Sequence, residues 1–174
     1  MPKIIDEAEK KLLAQARQQL FAAGYGGLSV RQLAKECGMA VGTVYNYFKD
    51  KDTLVATVMM EDWVLALEQM DQACSQAPDA AAGLEGICGA IREFAGLYES
   101  VWDQFSKAGG SSGVVNSRHR MLRDQIAGRI QALLGRLGME DAVLSPLLAE
   151  AILSAAVQPD IGPGQIARLA GRLR

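Results

Sequence analysis

The 174-residue sequence predicts an all-α fold, with a three-helix head of about 50 residues followed by a longer helical bundle. Three observations carry this reading. Strict alternation of apolar and polar residues, the mark of a half-buried strand, is absent. Apolar residues make up 49% of the chain and recur three and four positions apart. Clusters of Gly, Pro and Ser fall between the periodic runs, where helices have to stop.

The elements follow in order. A first helix is expected from about Asp6 to Ala23, with Leu12, Leu13, Ala16, Leu20 and Phe21 facing inward. Gly24 ends it and Gly26-Gly27 turn the chain. Ser29 then caps a short helix that keeps Leu33 and Ala34 inside and closes at Gly38. A third helix spans about Val41 to Phe48. Asp50 or Lys51 opens a longer fourth, with Leu54, Val58, Trp63, Leu67 and Met70 as its apolar stripe. Residues 75–83, which include Pro78, form a loop. A fifth helix begins near Leu84 and carries Ile87, Ile91, Phe94, Tyr98, Trp102 and Phe105 on one face. Lys107 to Gly113 is the clearest break. An Arg-rich helix from about Asn116 to Leu137, stopped by Gly138, comes next. The helix after it, about Asp141 to Val157, is rich in small residues, and Pro146 either kinks it or sits in its first turn. A last helix carries Ile166, Leu169 and Leu173.

Charge is informative only in its distribution. The net charge is −2. Residues 1–52 hold eight Lys/Arg against six acids, and the remainder ten against fourteen, so the head is +2 and the body −4. No apolar run approaches the roughly 20 residues of a membrane span, and acids stand where a secretion signal would be apolar. The expected compartment is therefore the cytoplasm. Cys37, Cys74 and Cys88 lie at no metal-type spacing and read as reduced, buried thiols. Neither a nucleophile–base pair nor a metal constellation nor a phosphate loop is visible, so an enzyme, a metal site and a cofactor are not expected.

The stretch 29–51 carries the chemistry. With Leu33, Ala34, Val44 and Phe48 turned inward and Gly38 making the tight turn, the third helix is left with a polar and aromatic outer face. A helix of this size fits the DNA major groove. Gly42 lets the backbone approach the groove closely, and Asn46 offers a donor and an acceptor to a base edge, adenine being the usual match. Tyr45 can reach a base or a thymine methyl, while the Thr43 and Tyr47 hydroxyls and Lys51 suit phosphates. Ser29, Arg31 and Val41 complete the candidate DNA-binding set.

These residues resemble the tetracycline-repressor (TetR) family of bacterial transcriptional regulators. The resemblance covers about the first 55 residues and rests on Gly-Thr-Val-Tyr-x-Tyr-Phe-x-x-Lys-x-x-Leu from Gly42 to Leu54, together with Leu13, Ala16, Leu20-Phe21, Gly24-Tyr25 and Leu33-Ala34. Ala40 stands where the family usually has a capping Ser or Thr, and Val41 where a polar residue is common. The resemblance implies a homodimer whose bodies bind a small effector that changes the separation of two DNA-reading heads. Residues 1–50 would then be the helix-turn-helix domain and 51–174 the effector-binding and dimerisation domain.

The body offers candidates for both roles. Trp63, Leu67, Phe94, Tyr98, Trp102, Phe105, His119 and Leu122 suit an apolar or amphipathic effector, although aromatic stripes of this kind also build ordinary cores. The small-residue helix, with Leu148, Ala151, Ile152 and Ala155, and the last helix, with Ile166, Leu169 and Leu173, suit a dimeric four-helix bundle. The arginines of the Arg-rich helix read as a solvated face, and no acid has an evident buried partner. The expected function is a regulator that binds a pseudo-palindromic double-stranded DNA operator as a homodimer and is released by a small effector. A helix-turn-helix DNA-binding protein without an effector is the alternative.

Overall fold

The computed structural model describes residues 2–107, 112–139, 143–156, 164, 165 and 168, with side chains described over 7–101, 119–139, 143–156, 164, 165 and 168. Within these residues the chain forms seven helices and no strand: α1 (Pro2–Gly27), α2 (Val30–Cys37), α3 (Val41–Tyr47), α4 (Lys51–Gln76), α5 (Ala80–Lys107), α6 (Ser112–Arg136) and α7 (Leu144–Ala156). They divide into two compact units. One comprises Met1–Trp63 with Leu97–Gly109, the other Val64–Gly96 with Gly110–Arg174. Helices α4 and α5 each contribute to both.

The helix ends are set by local chemistry. Gly24, at φ 68°, interrupts α1, but the chain resumes helical geometry to Gly27 instead of ending there. Helix α2 closes with a left-handed Gly38 whose N–H donates to the Lys35 carbonyl (3.1 Å), while the Met39 N–H reaches back to Ala34 (2.8 Å). Those two bonds satisfy carbonyls that a helix end would leave unpaired. Gly138 repeats the arrangement after α6, its N–H on Gly135 and that of Met39's counterpart, Met139, on Leu134. Asp50 opens α4, its carboxylate accepting the N–H and the hydroxyl of Thr53, both at 2.7 Å.

Two further expectations need correction. The loop at 75–83 is much shorter, because Asp79 accepts the N–H of Ala82 (2.8 Å) and starts α5 at Ala80. Gly83 is thus helical. A Cβ there would stand 2.4 Å from Leu133, so glycine at this position makes room for a neighbouring side chain and does not break the helix. Helix α6 begins at Ser112, inside the expected break, of which residues 108–111 lie outside the described residues. Pro146 sits in the first turn of α7, two residues after Leu144, where its missing N–H costs no helical bond. The proposed last helix lies largely outside the described residues.

Burial follows the expected stripes in each unit. In the first, Leu12, Leu13, Leu20, Leu33, Val44 and Leu54 are buried; Phe21, expected inside, is 45% exposed. In the second, Met70, Leu84, Ile87, Ile126, Ile130 and Ile152 are fully enclosed. Each such side chain contributes roughly 1.5–3 kcal/mol through removal from water. No helix among the described residues is long and apolar enough to cross a membrane.

All three cysteines are buried free thiols. Burial raises the pKa of each, that of Cys88 from the usual 9 to about 11. A raised folded-state value means that the associated stability is present below pH 9 and is lost as pH climbs toward 11. The expected result is a falling melting temperature across that window, and negligible iodoacetamide labelling of the native chain below it. Rapid labelling of the native protein below pH 9 would contradict the enclosed environment.

Candidate nucleic-acid interface

Helix α3 presents the predicted reading face on a buried support. Val44 and Phe48 are 1% and 3% exposed, whereas Tyr45 is 50% exposed and Gly42 and Asn46 are also open to solvent. Val41, Thr43 and Tyr47 are half-buried along the flanks. A Cβ at Gly42 would meet nothing within 4 Å, so the backbone there is accessible from outside. Helix α2 contributes Arg31, exposed, and Ser29, half-buried, and its Ser29 Oγ accepts the Gln32 N–H at 3.3 Å as the expected cap.

Ala40 occupies the equivalent capping position of α3 in extended geometry (φ −72°, ψ 146°) with no side-chain hydrogen bond. Ala40→Ser is therefore expected to stabilise the chain by about 1 kcal/mol. In a domain of this size that should appear as a rise of roughly 2–4 °C in Tm. A thermal melt of the variant with no rise would show that the backbone at position 40 cannot direct a hydroxyl to the helix.

Lys51, at the start of α4, holds its ammonium 4.4 Å from the centre of the Tyr25 ring. The Tyr25 hydroxyl in turn donates to Asp52, and this bond, ahead of burial, raises its pKa to about 12. Burial draws the Lys51 pKa below its usual value. The cation is thereby held over an aromatic face instead of roaming in solvent.

A set of polar contacts that the sequence did not reveal fixes α1 against α2. The Glu36 carboxylate accepts amide N–H groups from Gln32 (2.8 Å), Gln15 (2.8 Å) and Gln19 (2.6 Å). These three bonds lower its pKa, with Gln32 the largest influence. Gln19 also accepts the Ser29 N–H (3.2 Å), and Lys11 donates to the Cys37 carbonyl (3.0 Å). The four-residue spacings Gln15/Gln19 and Gln32/Glu36 are visible in the sequence; that one pair faces the other is not.

A second such group contradicts the expectation that no acid is buried with a partner. Asp62 is 9% exposed. Its carboxylate receives Arg17 Nη2 at 2.6 Å, Arg17 Nε at 3.2 Å and the Tyr98 hydroxyl at 2.5 Å, and Glu61 takes a further Arg17 bond at 2.9 Å. Burial pulls the Arg17 pKa down, but the bonds to Asp62 and Glu61 outweigh it and leave it raised. Burial and then the bond to Asp62 push the Tyr98 phenol far above its usual value. The Phe21 ring lies 5.6 Å from that of Tyr98.

The effector candidates fall into both units. In the first, Trp63 and Tyr98 are 2% and 0% exposed. In the second, Leu67 is buried, Phe94 and Leu122 are half-buried, and His119 is exposed with its Nε2 2.9 Å from Glu150. The side chains of Trp102 and Phe105 lie outside the described residues. Two arginines of α6 tie that helix to α4, and do not simply face solvent. Arg129 pairs with Asp71 (2.9 Å), and Arg136 donates to the Cys74 (2.9 Å) and Ala77 (2.5 Å) carbonyls at the end of α4. Among the described residues, no group of three or more His, Cys, Asp or Glu could hold a metal ion.

The dimerisation candidates lie on α7 and beyond it. Leu148, Ile152 and Ala155 are buried within the single chain, where α7 packs against α6. Ala151 is half-buried, and the large apolar residues that this segment leaves exposed are Val143 and Leu147. Ile166, Leu169 and Leu173 lie outside the described residues.

Comparison with known proteins agrees with the head's geometry. Residues 12–58 match the profile of the bacterial regulatory proteins of the tetR family. An HTH-type transcriptional repressor of Mycobacterium tuberculosis is 30% identical over 97 residues, covering 53% of this chain and 46% of its own. The chain spans less than half the length of the curated relatives it matches. Among solved structures, a TetR-family transcriptional regulator from Pectobacterium atrosepticum superposes with a TM-score of 0.72 at 24% identity, covering 100% of this chain and 96% of that one. FadR from Bacillus subtilis, in complex with stearoyl-CoA, gives 0.60 at 16% identity, covering 94% and 96%. At these identities the structural matches speak for the fold.

Proposed function

We propose that this chain, whose residues 12–58 match the profile of the tetR family of bacterial regulatory proteins, is a ligand-responsive repressor of that family that binds a pseudo-palindromic operator as a homodimer. The exposed Tyr45–Asn46 face of α3, held on buried Val44 and Phe48, carries the proposal. Asn46 and Tyr45 read bases. Thr43, Tyr47, Lys51, Ser29 and Arg31 engage phosphates, Gly42 admits the backbone, and Val41 meets a thymine methyl. Residues 1–50 form the reading domain and 51–174 the effector and dimerisation domain. One short recognition helix reads only a few base pairs, so useful specificity requires two, spaced by roughly 34–36 Å or a multiple.

The effector is small and hydrophobic or amphipathic, and it acts on the body's apolar residues, Phe94 and Leu122 among those described. The stearoyl-CoA complex of FadR supports an effector with an acyl chain. Its binding would shift α4, which begins at Lys51, and so spoil the spacing of the two heads. Burial of Trp63 and Tyr98 favours the second reading, a DNA-binding protein without an effector.

Selection of bound sequences from random DNA tests the first part of the proposal. An inverted repeat should emerge, and its affinity should fall steeply with salt. Failure to enrich any sequence would refute operator reading. A panel of fatty acids and acyl-CoAs separates the two readings, since an effector raises the Tm by binding only the folded state. Release of the operator by the same compound distinguishes an effector from an incidental ligand.

A further inference from the structure

Helix α1 is gripped on two sides. Lys11, Gln15 and Gln19 stand four residues apart, on one face, and bind the Cys37 carbonyl and Glu36 of α2. Arg17 lies two residues from both Gln15 and Gln19, about 200° around the helix. From that opposite side it forks onto Asp62 of α4, which also receives the Tyr98 hydroxyl of α5. A continuous series of hydrogen bonds and backbone therefore runs from Tyr98 through Asp62, Arg17 and α1 to α2. All of these residues belong to one compact unit. Tyr98 is 0% exposed, so it touches no DNA itself.

We propose that Tyr98, acting through Asp62 and Arg17, is a positioning residue for operator recognition: it fixes α1, and with it the reading head, on α4 and the Leu97–Lys107 end of α5. The physical basis is the geometry of Asp62. An Arg fork and a phenol together leave its carboxylate one arrangement, since both oxygens are engaged and both partners are planar groups with little freedom. Without the phenol, the Arg17–Asp62 pair keeps its charge balance but loses the bond that fixes the carboxylate's orientation. Helix α1 can then settle over a wider range of positions. A single head would still meet DNA, but two heads would no longer match the half-site spacing.

The inference rests on operator reading as proposed above, and the test separates the two. It uses the full-length chain and the operator obtained from random-sequence selection. Tyr98→Phe removes only the hydroxyl and retains the ring beside Phe21. The expected result is an operator Kd raised roughly ten-fold, the effect available from one hydrogen bond of ordinary strength. Binding to non-specific DNA should be unchanged, so the specificity ratio falls. A lowered Tm with an unchanged ratio, measured well below the melting transition, would reduce the chain of contacts to a purely structural role and overturn the proposal. Should Tyr98→Phe fail to fold, Arg17→Lys, which keeps the charge but loses the fork, decides by the same ratio. If the wild-type protein itself shows no preference for selected over random DNA, the operator reading fails. If that preference stands and both variants retain it, only the positioning role fails.

Discussion

Asn46→Ala is expected to lower operator affinity by about 1–3 kcal/mol per half-site and to relax the preference for one base pair in each. Asn46 is exposed on α3 one turn from Gly42, where a Cβ would meet nothing within 4 Å and the backbone is open to a close approach. A side-chain amide presents a donor and an acceptor in the spacing of an adenine edge, and alanine presents neither. The base that loses its partner is left buried at the interface and unpaired, which makes the penalty larger than that of the hydrogen bonds alone. Lys51→Ala supplies the contrast. Loss of a phosphate contact weakens all sequences nearly equally and lowers the salt slope by about one per head. Titration of both variants against the operator and single-base substitutions of it reads the difference. An Asn46→Ala protein with wild-type affinity and unaltered base preference would remove Asn46 from the reading face.

The head was legible because its determinants are local. A cap such as Ser29 binds an N–H three residues on, and Gly38 and Gly138 satisfy carbonyls within the same turn, so each is visible in a short window. The exposed face of α3 follows from period alone once Val44 and Phe48 are placed inside. Legibility failed where a residue's meaning depends on a distant neighbour. Gly83 reads as part of a loop, but Leu133, fifty positions away, decides that it is a packing site within a helix. Small residues in α7 fit any closely approaching helix, and the sequence does not say whether that helix belongs to the same chain. Pro146 was ambiguous for a related reason, since its role depends on where α7 begins, and that start is set outside any periodic pattern. Asp62 looks like an ordinary surface acid on α4; its partners lie 45 and 36 residues away.

Arg17→Met is expected to destabilise the chain by roughly 2–4 kcal/mol, far more than loss of a surface ion pair. The loss turns on asymmetry in burial. The Arg17 side chain retains 28% exposure, so its own desolvation is incomplete, whereas Asp62 retains only 9%. Removing the arginine strands a carboxylate in a site that water scarcely reaches, with the Tyr98 hydroxyl as its remaining partner among the described residues. Most of the loss is thus a penalty on the abandoned partner, not the worth of the pair. It follows that Arg17→Met with Asp62→Leu should recover much of the stability, because a methionine and a leucine can fill the space without a charge to solvate. Chemical denaturation of both single variants and the double variant gives the coupling directly. Strictly additive losses would mean that Asp62 reaches water more readily than its burial implies. Operator binding provides a separate readout on the same proteins. If the ion pair positions α1, the double variant should regain stability without regaining specificity, since an apolar contact holds the helices together but lacks the directional fork that fixes where α1 sits.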